Sequence, residues 1–324
     1  MIATIINKAI VQGIPLLFGS TGEIITEKSG NLNLGIPGIM YMGGSAGVIG
    51  AYIYEQSTAS PSPFWCIVIP LLSSILGSFL AALIYSFLTI TLRANQNVTG
   101  LALTTFGVGF GDFFGGSLTK IMSGGGNLSV KLTADYYKTT LPFADSLGAI
   151  GKIFFSYGFL AYVAVIIAII ASWFLNRTRC GLHLRAVGEN PATADAAGIN
   201  VIKYKYIATC VGGIIAGLGG LYFIMDYTGG SWTNGGFGDR GWLAIALVIF
   251  ALWRPNVSIL GSFVFGGLYI AYSYISGLSR SAVAIFNMLP YVVTILVLIL
   301  TSVRNKKENH PPASLGLAYF REDR

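Results

Sequence analysis

The sequence predicts an all-α integral membrane protein, a bundle of about eight or nine transmembrane helices with a broken helix near the N-terminus and a short cytoplasmic helix. Composition is the first observation behind this fold class. Only 10% of the 324 residues are charged, 54% are hydrophobic, and the mean hydropathy is +0.69. A soluble domain carries about 25% charged residues. Because so few charges cannot cover a water-facing surface, most of the surface must face lipid.

The second observation is a series of windows that contain no Asp, Glu, Lys or Arg. A spanning helix needs about 20 mostly apolar residues. The longest window, 56–92, opens with the polar loop Ser57–Pro63 and predicts a helix from about Trp65. The other long windows are 29–54, 153–176, 206–225, 255–279 and 281–303, a shorter one is 94–111, and two marginal ones are 9–22 and 241–253.

The third observation is the position of the basic residues. The stretch 176–205 is predominantly basic, and Arg304, Lys306 and Lys307 follow the last window directly. Cytoplasmic loops carry an excess of Lys and Arg, so both regions are predicted to be cytoplasmic. The chain therefore divides into a transmembrane domain over 1–303 and a cytoplasmic tail over 304–324.

Two cytoplasmic regions require an even number of crossings between them, and only three long windows lie there. The window 241–253 is therefore predicted to cross as well, by extending back past Asp239 and Arg240. The polar loop 120–152 carries four lysines and is still placed outside, because that placement fits the parity. If all nine windows cross, the N-terminus lies outside.

The sequence lacks the residues that are typical of several functional classes. Cys66, Cys180 and Cys210 form no CxxC pair and no spacing that suits a metal, and the two histidines are far apart. No GxxxxGK[ST] loop and no convincing pair of nucleophile and base is present. The net charge of +7 is spread beside apolar windows, which disfavours nucleic-acid binding. The sequence predicts a non-catalytic membrane protein that binds no metal and no cofactor of its own.

The segment Glu27–Met40 places polar and helix-breaking residues where an apolar span should begin. Pro37 removes a backbone donor and disfavours helix at Ile36. One interpretation is a broken helix that lines a water-filled pathway, where asparagine amides would hydrogen-bond a polar uncharged solute. The other is an interfacial loop before a helix that starts near Ile39, and the residues favour neither. The candidate pathway residues are Asn31, Asn33, Gly35, Pro37 and Gly38.

The basic stretch 176–205 also contains the signals of a short helix. Asn190 suits the N-cap, Pro191 suits the first turn, and Gly198 suits the C-terminal end. A helix of about two turns is unstable alone, so a partner surface is expected to hold it. Its small, alanine-rich face argues against a lipid surface as that partner. The candidate docking residues are Arg185, Gly188, Glu189, Asn190, Pro191, Asp195, Ala196 and Gly198.

A third candidate region is Gly235–Ala246, in which Asp239 and Arg240 lie close to or inside a spanning element. Charged residues within a membrane are functional candidates. An interfacial charge pair beside a tryptophan would give the same pattern. Asp239 and Arg240 are therefore kept as possible intramembrane polar residues.

These three regions together resemble the permeases of bacterial ABC importers for branched-chain amino acids, ribose and nucleosides. The stretch Glu27–Met40, of the form E-K-S-G-x-x-N-L-G-x-x-G-x-M, is most similar to the nucleoside branch. Arg185–Ile199 resembles the cytoplasmic coupling segment of the wider family, and Gly236–Ala246 followed by Arg254-Pro255 resembles its late motif. One departure is Pro37, where the branch commonly has Glu.

The resemblance implies a subunit that works with partners in the bacterial plasma membrane. A cytoplasmic ABC ATPase would bind ATP and magnesium, and the helix over 190–198 would couple to it. A second permease subunit, commonly non-identical in the nucleoside branch, would complete the pathway. An extracellular substrate-binding lipoprotein would deliver the solute.

Other transporters remain open alternatives. A permease for a sugar or a branched-chain amino acid would share the family motifs. Few intramembrane charges favour an uncharged solute over an amino acid. An ion-coupled secondary transporter would need a membrane site for the ion, for which Asp112, Asp226 and Asp239 could serve, but it would not need a cytoplasmic docking helix.

Overall fold

The computed structural model describes residues 2–117, 128–142, 144, 146, 148–275, 277, 279–304 and 310–321. In these ranges the chain is helical, and strand-like pairing is limited to one bridge between Ser129 and Ser231. The helices are α1 Ile2–Glu27, α2 Ile36–Ser57, α3 Pro63–Ser86 with a π-helical turn Phe87–Thr91, α4 Gln96–Gly111 with a π-helical turn Asp112–Ser117, α5 Lys131–Tyr137, α6 Gly148–Phe154, α7 Phe159–Arg177, α8 Arg179–Glu189, α9 Pro191–Ala196, α10 Val201–Tyr222 with a π-helical turn Phe223–Tyr227, α11 Arg240–Phe250, α12 Pro255–Ile270 with a 3-10 turn Ala271–Tyr274, and α13 Arg280–Arg304.

The predicted all-α membrane fold is confirmed. Seven of the described helices are long and apolar enough to cross a membrane: α1, α2, α3, α7, α10, α12 and α13. Their burial differs in a way that fits a bundle in lipid. The spanning part of α1 is 83% buried inside the protein, whereas that of α13 is 11% buried. The peripheral helices therefore present apolar side chains outwards, which suits contact with lipid or with another membrane subunit.

The bundle has two distinct ends. The loop end comprises residues 128–142 and 228–239, which the single bridge joins. The link end comprises residues 28–35, which we call the link, helices α8 and α9, and residues 310–321, which we call the tail. The basic stretch 176–205 and the tail thus lie at the same end, as the parity argument requires.

Two further segments run between these ends. Helix α4 begins beside the link, where the Leu32 N–H donates to Gln96 Oε1 (2.7 Å), and it reaches the loop end, where Asp112 accepts from the loop backbone. The segment around α11 leaves the loop end at residue 239 and reaches α1 at the link end, where the Trp253 indole N–H donates to Glu27. With the seven long helices, nine described segments span the bundle, the upper value predicted.

Glycines bring the central helices into backbone contact. A Cβ on Gly220 of α10 would lie 1.9 Å from the carbonyl oxygen of Met40 in α2, and a Cβ on Gly22 of α1 would lie 2.2 Å from that of Gly212 in α10. Larger residues would force these helices apart. Small residues serve this purpose in membrane bundles because lipid supplies no hydrophobic force between helices.

The prediction for the short window 241–253 was wrong in one respect. Helix α11 begins at Arg240 and does not extend back past Asp239 and Arg240. Gly235 and Gly238 have φ values of +67° and +54°, which a helix does not accommodate. The crossing is completed by turns before α11, not by a longer helix.

The break near the N-terminus also differs in detail. It lies between two antiparallel helices, α1 and α2, and does not interrupt a single span. Helix α2 begins at Ile36, not near Ile39, because Pro37 occupies its first turn, where the missing N–H has no intrahelical partner to lose. The marginal window 9–22 belongs to a 26-residue helix, since Glu23 and Glu27 are buried inside the bundle and do not mark its boundary.

The polar loop predicted over 120–152 contains two short helices, α5 and α6. Its stretch 120–127 lies outside the described residues. The same holds for residues 305–309 and 322–324 of the predicted tail 304–324.

Candidate functional site

The link is a non-helical segment buried inside the protein. Gly30 adopts a φ of +85° and turns the chain directly after α1. Two hydrogen bonds hold the segment after this turn. The Asn33 N–H donates to Glu23 Oε1 (2.9 Å), and the Tyr85 hydroxyl donates to the Leu32 carbonyl. Buried backbone needs such partners, because unpaired polar groups are costly away from water. The link is therefore a built feature and not a mobile loop.

Side chains of the link leave several buried polar atoms without partners. Asn31 is 1% exposed, and its Nδ2 donates to Thr209 Oγ1 (3.2 Å) while its Oδ1 has no partner in the described chain. Asn33 Oδ1 accepts from the Gly35 N–H (2.9 Å), but Asn33 Nδ2 has no such partner. Such groups are rare in folded proteins, and each one needs an explanation.

The other predicted pathway residues pack against helices. A Cβ on Gly35 would lie 2.8 Å from the Leu103 side chain, and a Cβ on Gly38 would lie 2.5 Å from the Leu103 carbonyl oxygen. Pro37 contacts Gly241 of α11, where an added Cβ would lie 2.5 Å away. The structure brings Asn31 and Asn33 together with unpaired polar groups, whereas these three residues let α2 approach α4 and α11.

The predicted short helix is present as α9. Asn190 caps it by accepting the Thr193 N–H at its Oδ1 (3.0 Å), Pro191 occupies the first turn, and Gly198 follows the end with a φ of +82°. Ala194 is buried against neighbouring apolar residues, while Ala196 and Gly198 are exposed. An exposed face of small residues on an anchored helix is a surface that another protein can contact closely.

The helix α8 before it, which the sequence analysis did not predict, connects α9 to the link. Gly188 packs so closely on the link that an added Cβ would lie 2.3 Å from the Lys28 carbonyl oxygen. Burial lowers the pKa of the Lys28 ammonium, an effect that the nearby Glu189 carboxylate opposes and Arg185 reinforces. Arg185 Nε is buried without a partner in the described chain. Three of the predicted docking residues thus contact or approach the buried link.

The tail lies against both α9 and the link. The Ser314 hydroxyl donates to the Gly188 carbonyl (2.6 Å), and the Gly316 N–H donates to the Gly30 carbonyl (3.2 Å). The Tyr319 hydroxyl donates to Asp195 Oδ2 (2.9 Å). Arg321 forms an ion pair with the same carboxylate at 3.2 Å. The side chain of Asp195 therefore points to the tail, not away from the protein.

A polar cavity of about 460 Å³ lies between the link, the tail and the start of α10. Asn31 forms part of its wall. The remaining polar and charged residues around it are Thr89, Thr91, Arg93, Gln96, Asp195, Asn200, Lys205, Tyr319 and Arg321. The link end is thus open to a polar molecule in this conformation.

The loop end is closed by aromatic side chains. Tyr41 packs edge-on against Trp232 and Phe237, with ring centroids 5.5 and 6.0 Å apart. Its hydroxyl donates to Asp112 Oδ1 (3.0 Å) and accepts from the Gly235 N–H (2.8 Å). The space beside these rings amounts to about 10 Å³. This volume is too small for a solute.

The structure places the two predicted intramembrane polar residues, Asp239 and Arg240, in different environments. Arg240 is buried, with its guanidinium 4.6 Å from the ring centre of Phe223, 4.9 Å from that of Tyr269, and bonded to Gln12 Oε1 (3.2 Å). Asp239 is exposed at the N-cap of α11 and makes no capping hydrogen bond. Arg240 fixes the start of α11 among aromatic rings, where a guanidinium is well stabilised.

Three buried residues beside the link end were not predicted from the sequence as site residues: Glu23, Glu27 and Lys205. Each borders an apolar window, which is also the pattern of a residue at the membrane surface. The sequence held one usable signal, the four-residue spacing of Glu23 and Glu27, which places both on one face of α1.

A comparison with protein families matches residues 5–298 to the family described as branched-chain amino acid transport system / permease component. The chain is also similar to two bacterial proteins over nearly their full lengths. The nucleoside ABC transporter permease protein NupC of Lactococcus lactis is 31% identical over 91% of each chain. The guanosine ABC transporter permease protein NupQ of Bacillus subtilis is 31% identical over 92% of each chain. A putative glucose ABC transporter permease protein of Haloferax volcanii is 32% identical over 82% of this chain and 75% of its own.

Proposed function

Because the chain belongs to the family of branched-chain amino acid transport system permease components, we propose that it is the permease subunit of an ATP-driven importer of nucleosides. Similarity over about nine-tenths of the chain to two permeases named for nucleosides and guanosine carries the choice of solute. The unpaired amide atoms of Asn31 and Asn33 support it, since a nucleoside is an uncharged solute with both donors and acceptors.

In this proposal the link end faces the cytoplasm and the loop end faces outwards. The basic residues of 176–205 and Arg304 favour that orientation by the positive-inside rule. With nine crossings, the N-terminus is outside and the tail is inside. A substrate-binding lipoprotein then delivers the solute at the loop end.

Helix α9 is the proposed docking element for a cytoplasmic ABC ATPase, which binds ATP and magnesium. Its exposed small residues, Ala196 and Gly198, permit close contact with a partner groove. Gly188 and Glu189 connect that contact to the link through α8, so a displacement of α9 reaches Asn31 and Asn33 over a short path of packed residues. The chain itself needs no catalytic group for this role. A second permease subunit is proposed to pack on the exposed apolar helices.

The decisive test is uptake of radiolabelled guanosine by cells that express the chain with the other subunits of its transporter. We expect saturable uptake that competes with other nucleosides but not with leucine, and that stops when the ATPase is inactivated by substitution of its catalytic residues. Uptake that persists without ATP hydrolysis and collapses with the ion gradient would instead indicate a secondary transporter.

A sugar importer is the second candidate, since the Haloferax volcanii relative is named for glucose. The same cells distinguish the two solutes. Competition by glucose or ribose at low concentration, with none by guanosine, would assign the chain to sugars. A nucleoside permease should show the opposite order.

A further inference from the structure

The cavity at the link end contains a buried cation that none of the described residues neutralises. Lys205, in the first turns of α10, is 3% exposed and forms part of the cavity wall. Its ammonium has no hydrogen bond or ion pair in the described part of the chain. A buried charge without a partner is strongly unfavourable, so an anion in the adjacent space would stabilise the charged form of Lys205.

Other groups at the same place favour an anion. Val201 and Ile202, the first residues of helix α10, line the cavity, and the first amides of a helix have no intrahelical acceptor. The helix dipole adds partial positive charge there. The cavity wall also contains Arg93.

The carboxylate in the wall does not balance these charges. Asp195 forms its ion pair with Arg321 of the tail at 3.2 Å. Among the described wall residues, Lys205 is therefore left without a carboxylate partner. The cavity is electropositive at Lys205 and at the start of α10.

We propose that this cavity binds a phosphate group, held by Lys205 and the first amides of α10. Phosphate suits this set because it accepts several charge-assisted hydrogen bonds at once. The bound group would contact the walls formed by the link and the tail, so its occupancy would stabilise their contact with α9. Nothing in this assignment depends on the transported solute being a nucleoside.

Two sources can supply such a group at this position. The cavity opens beside exposed apolar residues, Leu92 (58% exposed) and Ile202 (54%), as expected where a lipid headgroup enters at the membrane surface. Its volume of about 460 Å³ also accommodates a soluble phosphate ester. The chemistry at the binding groups is the same, and the experiment separates the sources.

The test measures acylation of lysines in the full-length chain, purified in a maltoside detergent that carries no phosphate. Acetic anhydride labels accessible amines, and mass spectrometry reads each lysine separately. We expect phosphatidylglycerol, inorganic phosphate or both to protect Lys205, while the exposed Lys203 on the same helix stays reactive. Protection by phosphatidylglycerol alone identifies a lipid headgroup site, and protection by inorganic phosphate identifies a soluble anion site.

Substitutions provide the second readout. Lys205→Met should weaken retention of the protecting ligand about tenfold, as expected for the loss of one charged hydrogen bond. Lys203→Met, a matched control two residues away, should retain it. No protection of Lys205 in the unsubstituted chain by either ligand would overturn the proposal, and so would equal retention in the two variants.

Discussion

The link end and the aromatic cluster around Tyr41 at the loop end fill the space between their helices in opposite ways. At the link end a polar cavity of about 460 Å³ remains, and Asn31 and Asn33 keep amide atoms without partners among the described residues. At the loop end about 10 Å³ remains beside Tyr41, whose hydroxyl is fully engaged by Asp112 and Gly235. The link end is polar and incompletely paired, whereas the space beside Tyr41 is filled and the Tyr41 hydroxyl is paired.

This difference indicates how the two ends contribute to transport. A transporter must open one end while the other is closed, usually around irregular segments at the binding site. Beside Tyr41 the loop end is closed by residues 231–239, which are non-helical and can therefore rearrange without breaking a helix. The link end is held by α8, α9 and the tail, which suits transmission of force from the proposed ATPase. We interpret the described conformation as open at the link end and closed at the loop end.

Breaking helix α9 should have the largest effect on uptake. Ala194→Pro removes the N–H that donates to the Asn190 carbonyl (3.0 Å) and places a proline ring inside the helix, at a cost of about 3 kcal/mol. We expect uptake to be abolished and the ATPase to be lost on purification, with membrane insertion intact. Uptake assays and co-purification in detergent measure these outcomes.

The matched control is Ala194→Ser, which keeps the N–H and nearly the same volume. It should transport close to the normal rate. Normal uptake by Ala194→Pro would remove α9 from the mechanism and leave the link end without a coupling element.

Removing the unpaired amides of the link should have the next largest effect. Asn31→Leu and Asn33→Leu each delete groups available to a polar solute, and the loss of one hydrogen bond weakens binding by up to about tenfold. We expect a KM for uptake raised by about that factor. Initial-rate kinetics test this, with Asn176→Leu at the exposed end of α7 as the control. Unchanged kinetics in both link variants would assign Asn31 and Asn33 to packing.

The closed loop end gives a smaller, local effect. Tyr41→Phe keeps the ring contacts but deletes the hydroxyl that accepts from the Gly235 N–H (2.8 Å). Asp112 Oδ1, which also accepts from this N–H (3.3 Å), remains as a weaker acceptor. Since a hydrogen bond contributes about 1 kcal/mol, we expect the Gly235 amide to exchange with deuterium up to about fivefold faster. Tyr54→Phe, which removes a hydroxyl that accepts from the Ser62 N–H, should leave that exchange unchanged. Equal exchange in both variants would mean that Tyr41 does not close the loop end.

Local residue signals were sufficient to predict α9 and the membrane bundle. Asn190, Pro191 and Gly198 act through bonds within a few residues of themselves, so their effect can be predicted from the sequence alone. The same holds for the apolar windows, whose length is fixed by the bilayer.

Contacts between distant residues were not predictable in this way. The acceptor for the Trp253 indole is Glu27, which lies far away in sequence, and Glu23 is buried only because the link folds back along α1. Charged residues at the ends of apolar windows look alike whether they face water or another helix. The positive φ of Gly235 and Gly238, which shortens α11, depends likewise on how that loop packs.

The tail is the clearest case of such distant pairing, and it supplies the smallest predicted effect. Tyr319→Phe removes the hydroxyl that donates to Asp195 Oδ2 (2.9 Å), but the Arg321 ion pair with the same carboxylate remains. An exposed ion pair contributes only about 0.2–1 kcal/mol, so the tail should loosen from α9 without detaching. We expect uptake to fall about twofold while the ATPase rate changes less, because a looser tail transmits less of the motion of α9 to the link. Transport and ATP hydrolysis measured in the same proteoliposomes give this ratio, with Leu317→Ala, an exposed tail residue, as the control. If the ratio of transport to ATP hydrolysis is unchanged in Tyr319→Phe, the next variant is a chain that ends at residue 309. An unchanged ratio in that chain as well would show that the link end couples through α8 alone.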